Sequence, residues 1–141
     1  MNQSPISDNE LFTLQLPSKT ESITQVEHLV EELCTRYNVS DDTFANMMTC
    51  LNEVTNNAII HGNKGDADKK VYVNAEVIDQ RRIVWTITDE GAGFDYAKLP
   101  DPTAPENLEN LTGRGVFIVR QLADQCIFNQ KGNTVELHFK I

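Results

Sequence analysis

Three short stretches of this chain bring together residue types that do chemistry. In LNEVTNNAIIHGN, Glu53, Asn57 and His61 stand at i, i+4 and i+8. On an α-helix turning about 100° per residue they share an edge about 80° wide, lined by a carboxylate, an amide and an imidazole. Such an edge serves as a solvated helix face. It equally suits a metal and a proton, since an Asn oxygen is a hard ligand for magnesium and a Glu one turn earlier can polarise a hydroxyl or water. In TDEGAGFD, Asp89 ends the apolar run IVWTIT and can accept from an exocyclic amine. Gly91 and Gly93 permit positive φ and leave room for a ligand beside the backbone, or form a glycine turn that caps a strand. In TGRGVFIV, Gly113 and Gly115 open an apolar helix, and Arg114 adds a charged fork. A glycine-rich helix start offers unpaired amides and the positive dipole end to a polyphosphate, or is an ordinary flexible N-cap. There is no third glycine at Tyr96 and no G-x-x-x-x-G-K-[ST] run, which excludes a Rossmann fingerprint and a P-loop.

Charge narrows what such a site can meet. Twelve Lys and Arg against 21 Asp and Glu leave a net charge of −9, a field that repels phosphate backbones and acidic lipid surfaces. Direct nucleic-acid binding and membrane binding are not expected. A small anion is still admissible where backbone amides, a helix N-terminus or magnesium supply local positive potential. The N-terminus MNQSPISDNE has neither a basic region nor an apolar core, so the expected compartment is the cytoplasm. Cys34, Cys50 and Cys126 are odd in number and lack C-x-x-C spacing, and read as buried free thiols.

The elements that must position these groups follow from periodicity. The 141 residues suit one domain, placed at 10–141 behind a frayed 1–9. Phe12, Leu14 and Leu16 alternate as a strand that Pro17 ends. Ile23, Val26, Leu29, Val30, Leu33 and Tyr37 predict a helix over 20–37. Ser40-Asp41-Asp42 predicts the N-cap of a second helix running to about His61, with Phe44, Met48, Leu51, Thr55 and Ala58 inward. After a polar loop over 63–70, VYVNAEVI and RIVWTITD form a hairpin about Asp79-Gln80. A long loop over 90–113 precedes the helix GVFIVRQLAD, and a last hairpin turns at Gly132-Asn133. The order β-α-α-β-β-loop-α-β-β predicts an α+β two-layer sandwich, with helices on one face of a mixed, mostly antiparallel sheet.

Taken together and in this order, Glu53-x-x-x-Asn57, Asp89-x-Gly91-x-Gly93 and Gly113-x-Gly115 resemble the N, G1 and G2 boxes of the GHKL, or histidine-kinase-like, ATPase superfamily with its Bergerat-type ATP-binding fold. The closer resemblance, over roughly 10–141, is to the anti-sigma factor serine/threonine protein kinases. It is carried by NEVTNNAIIHGN, TDEGAGFD, the short proline-containing lid LPDPTAPENLENL and TGRGVFIVRQLAD. Histidine kinases of the superfamily carry a separate dimerisation helix with the phospho-accepting histidine, and gyrase or mismatch-repair relatives a transducer domain. The chain has room for neither, and His61 is not expected to be a phosphoacceptor.

The resemblance implies ATP and Mg2+ as cofactors. It implies Asn57 as the magnesium ligand, Glu53 as the catalytic base toward a serine hydroxyl, and Asp89 on the adenine amino group. Gly91 and Gly93, with Thr112, Gly113, Arg114, Gly115 and Val116, would cradle the nucleotide, and His61 joins this set beside Asn57. Some members place a basic residue just ahead of the second glycine pair, near the γ-phosphate. Here Leu111-Thr112 stands there and Arg114 is the substitute. The implied function is a cytoplasmic, transcription-regulating anti-sigma factor that phosphorylates an anti-anti-sigma (STAS-type) partner and sequesters a sigma factor, as a monomer or a homodimer. The alternative is a regulatory module in which ATP orders a partner surface without phosphotransfer. A stand-alone ATPase is weaker, for want of a transducer.

Overall fold

Side chains alternate between the two faces of a strand, and in five strands the more buried face is lined by apolar residues. In a computed structural model, which describes residues 9–92 and 111–141 and only the backbone of 111–114, the strands are β1 (Glu10–Pro17), β2 (Lys70–Ile78), β3 (Arg82–Thr88), β4 (Gln125–Phe128) and β5 (Thr134–Lys140). They form one sheet in the order β1-β2-β3-β5-β4. Register sets the inward residues in continuous rows: Leu14, Val73, Ile87, Val135 and Phe128 form one, and Phe12, Ala75, Trp85, Leu137 and Cys126 the next.

Every strand pairing among the described residues is antiparallel, so the mixed, mostly antiparallel sheet expected from sequence has no parallel pair there. Two helices carry the chain away from β1 and back, so β2 begins where β1 ended, with Pro17 opposite Lys70. Strands β3 and β4 run the same way, but β5 returns between them and removes any parallel contact.

The helices are α1 (Ile23–Arg36), entered through a 3-10 turn at Thr20–Ser22, α2 (Asp41–Asn57) and α3 (Leu111–Leu122). Asn38, with φ of 53°, supplies the left-handed residue that ends α1, and Val39 N–H closes on Cys34 O at 2.9 Å. Ser40 Oγ accepts from Thr43 N–H at 3.2 Å, the expected N-cap, with Asp41 and Asp42 on the favourable end of the dipole. Helix α2 packs against both α1 and α3. Its buried arc is therefore wider than a one-sided stripe and takes in Met47, Cys50, Leu51, Val54 and Thr55, while Phe44 and Met48 stay half-buried. Each fully buried Leu or Met here contributes roughly 1.5–3 kcal/mol. No helix among the described residues is long and apolar enough to cross a membrane.

Two boundaries differ from expectation and bear on the site. Helix α2 does not continue as an α-helix to His61: from Ala58 to Gly62 it widens into a π-helical turn, with Asn63 N–H bonded to Ala58 O at 2.8 Å. Helix α3 begins at Leu111, so Gly113 and Gly115 lie inside it.

Candidate functional site

The widened turn brings Gly62 under the end of β3. A β-carbon on Gly62 would overlap the Asp89 carboxylate, and one on Gly91 would overlap Gly62 O. Both positions are glycine because two backbones and a carboxylate share that space. Asp89 is 8% exposed, and its Oδ1 accepts from Gly91 N–H at 2.7 Å. Burial pushes its carboxyl above the ordinary range, opposed by the Gly91 amide and by the charges of Lys131 and Lys69.

Asp89 faces a pocket whose lining also includes Asn57 of α2, Val116 of α3, and Asn133 and Thr134 of the β4–β5 turn. Val54, Ala58, Ile87, Val119, Phe128 and Val135 make the rest of the wall apolar. The cavity volume is about 20 Å3, room for about one water molecule. Helix α3 lies close over α2 at this point: a β-carbon on Gly115 would sit 2.6 Å from Glu53 Oε2 and 3.8 Å from Asn57 Nδ2. Glu53, Asn57 and the start of α3 thus meet at one edge of the pocket.

Three asparagines to which sequence reasoning gave no part in the site hold the Asp89 turn in place. Asn133 Nδ2 donates to Asp89 O at 3.1 Å, and Asp89 N–H donates to Asn133 O at 2.9 Å. Asn129 builds that turn, its Oδ1 accepting from the amides of Gly132 (2.7 Å), Asn133 (3.0 Å) and Thr134 (3.2 Å). On the other side Asn63, read from sequence as a loop residue, is fully buried and accepts from Glu90 N–H at 2.7 Å. A polar residue after Gly62 carries no local sign of such burial. Only its three-dimensional partners reveal it.

Of the residues singled out from sequence, Asn57, Asp89 and Val116 line one pocket, Gly91 orients Asp89, and Glu53 abuts Gly115. His61 follows in the π-helical turn, is exposed and lies outside the pocket lining. Thr112, Gly113 and Arg114 contribute helical backbone in the first turn of α3. Gly93, the lid and residues 1–8 lie outside the described residues. Cys34 and Cys50 are buried free thiols, and burial raises them to about 11 and about 12. Cys126 is half-buried.

Residues 16–139 match the family described as the histidine kinase-like ATPase domain. The anti-sigma F factor of Bacillus cereus is 31% identical over 140 residues, covering 95% of this chain and 86% of its own length. That of Bacillus thuringiensis has the same identity and coverage. The crystal structure of the RsbU and RsbW domains of a Mycobacterium tuberculosis protein superposes with a TM-score of 0.64 at 12% identity, over 93% of this chain and 32% of that one, and shares the fold. A family match along nearly the whole chain and relatives at this identity agree with the pocket geometry: the protein belongs to the histidine kinase-like ATPase domain family and, within it, stands with the kinase-type anti-sigma factors.

Proposed function

We propose that this protein is a cytoplasmic, Mg2+- and ATP-dependent serine kinase that phosphorylates a small anti-anti-sigma (STAS-type) partner and otherwise holds a sigma factor. The observation that carries this is the convergence of Asp89, Asn57 and Val116 of α3 on one largely apolar pocket, with Glu53 against Gly115 of the same helix. Asp89 accepts from the adenine amine, the apolar wall takes the faces of the ring, and the α3 amides receive phosphate oxygens.

The donor set fits magnesium held jointly by protein and nucleotide. Among the described residues no group of three His, Cys, Asp or Glu could hold a metal alone, whereas Mg2+ characteristically takes one or two protein oxygens plus substrate phosphates. Asn57 would supply the protein oxygen, and the ion when bound offsets the triphosphate charge. Glu53 accepts the hydrogen bond of the incoming serine hydroxyl and orients it for in-line attack. A net charge of −9 favours a partner with basic surface and rejects nucleic acid.

The test is transfer of label from γ-labelled ATP, with and without Mg2+, to candidate STAS-type domains in the presence of sigma factors. Mg2+-dependent label on a serine is expected. A second reading, partner binding without phosphotransfer, is favoured by Leu111-Thr112, which leaves no cation ahead of the glycine pair. ATP binding with no label on any partner would establish that second reading.

A further inference from the structure

We infer that Asn63 is a positioning residue for Asp89 and thereby sets the preference for adenine over guanine, an inference that rests on the nucleotide reading above. Asn63 is 0% exposed, yet its amide has a partner for each polar hydrogen. Nδ2 donates to Ser18 Oγ at 2.8 Å and to Lys70 O at 2.9 Å, and Oδ1 accepts from Glu90 N–H at 2.7 Å. One side chain thus ties the exit of β1, the entry of β2 and the turn after β3. Its own backbone N–H is bonded to Ala58 O, five residues earlier, where the helix begins to widen.

The tie falls on the peptide that matters. Glu90 lies between Asp89 and Gly91, the residue whose amide orients the Asp89 carboxylate. Adenine presents an exocyclic amine where guanine presents a carbonyl oxygen, so a carboxylate acceptor rewards the first and repels the second. That discrimination depends on the aim of the acceptor, while phosphate affinity depends on α2 and α3. Loosening the Glu90 peptide therefore relaxes base choice before it removes phosphate binding. The turn keeps a second tie, Lys70 N–H to Glu90 Oε2 at 2.5 Å, so loss of Asn63 loosens the turn without freeing it. Ser18 Oγ donates to Lys69 O at 2.7 Å and is the anchor on which Asn63 leans.

The experiment measures Kd for Mg-ATP and Mg-GTP by calorimetry on the full chain, as wild type, Asn63→Ala and Ser18→Ala, with melting curves for each. The ATP-to-GTP affinity ratio is expected to fall about tenfold in Asn63→Ala and about threefold in Ser18→Ala, at nearly constant GTP affinity. Ser18→Ala decides alone if Asn63→Ala does not fold. Folded variants with a lowered melting temperature and the wild-type ratio would show a structural role only and overturn the inference. A wild type that binds neither nucleotide would remove the nucleotide reading itself, and one that binds ATP but does not prefer it over GTP would remove only the base-reading role of Asp89 and this inference with it.

Discussion

Gly62 and the Asp89 carboxylate occupy adjoining space so tightly that a single β-carbon on the glycine would overlap the carboxylate. Gly62 closes a helical turn without a positive φ, so alanine there meets no backbone penalty and the overlap is its whole cost. Gly62→Ala is expected to destabilise by about 1–3 kcal/mol, as overpacking does, and to lower ATP affinity by displacing Asp89. In the Asp89→Ala background the same change should cost much less. Chemical denaturation of the four proteins of this double-mutant cycle checks the coupling; independent, additive effects would contradict it.

Asp89 carries a cost when ionised, because burial raises its carboxyl from the model-compound value of 3.8. A raised acid pKa means the folded state binds the proton more readily than the unfolded one. Stability contributed by this group is therefore largest at low pH and falls as pH rises from about 4 through the folded value. Asp89→Asn should melt higher than wild type at pH 7.5, with the difference shrinking below pH 4. ATP affinity at pH 7.5 should fall about tenfold or more, for loss of a charged acceptor worth about 1.5–3 kcal/mol. Melting temperatures across pH, paired with calorimetric titration, test both arms; unchanged ATP affinity in folded Asp89→Asn would remove the adenine assignment.

Glu53 and Asn57 stand one turn apart on α2 and carry different chemistry. Glu53→Ala is expected to bind Mg-ATP at near wild-type affinity and to transfer no phosphate. Asn57→Ala is expected to lose the part of ATP affinity that depends on Mg2+. Titration with and without the ion, alongside the transfer assay, separates the two, and full transfer by Glu53→Ala would withdraw its role as base.

Gly115→Ala places a β-carbon 2.6 Å from Glu53 Oε2, the flexible end of a side chain that can swing aside. Alanine inside α3 gains about 1 kcal/mol of helix propensity over glycine, so stability should hold or rise. Phosphotransfer should nonetheless fall at least about tenfold, since a displaced base loses its alignment. A variant equally stable and fully active would show that Glu53 need not approach α3.

Much of this molecule was legible in the chain because the signals are local. Period-2 alternation marked β1 and β5, the turn residues Asp79-Gln80 marked the β2–β3 hairpin, helical spacing marked α1 and α2, and Ser40 announced a cap it makes. The order of Glu53, Asn57, Asp89 and the glycine pairs pointed to the family before any coordinates, since residue type and spacing along single elements are properties of sequence. Tertiary structure decided the rest. The position of β5 between β3 and β4, and with it a wholly antiparallel sheet, depends on which strand edges meet. The π-helical turn over Ala58–Gly62 ends on Gly62, which adjoins the Asp89 carboxylate 27 residues further along the chain, a contact that no local pattern announces. The burial of Asn63 depends on Ser18, Lys70 and Glu90, which are 45, 7 and 27 residues away along the chain. A buried polar side chain is defined by its partners, and only folding brings those partners to it.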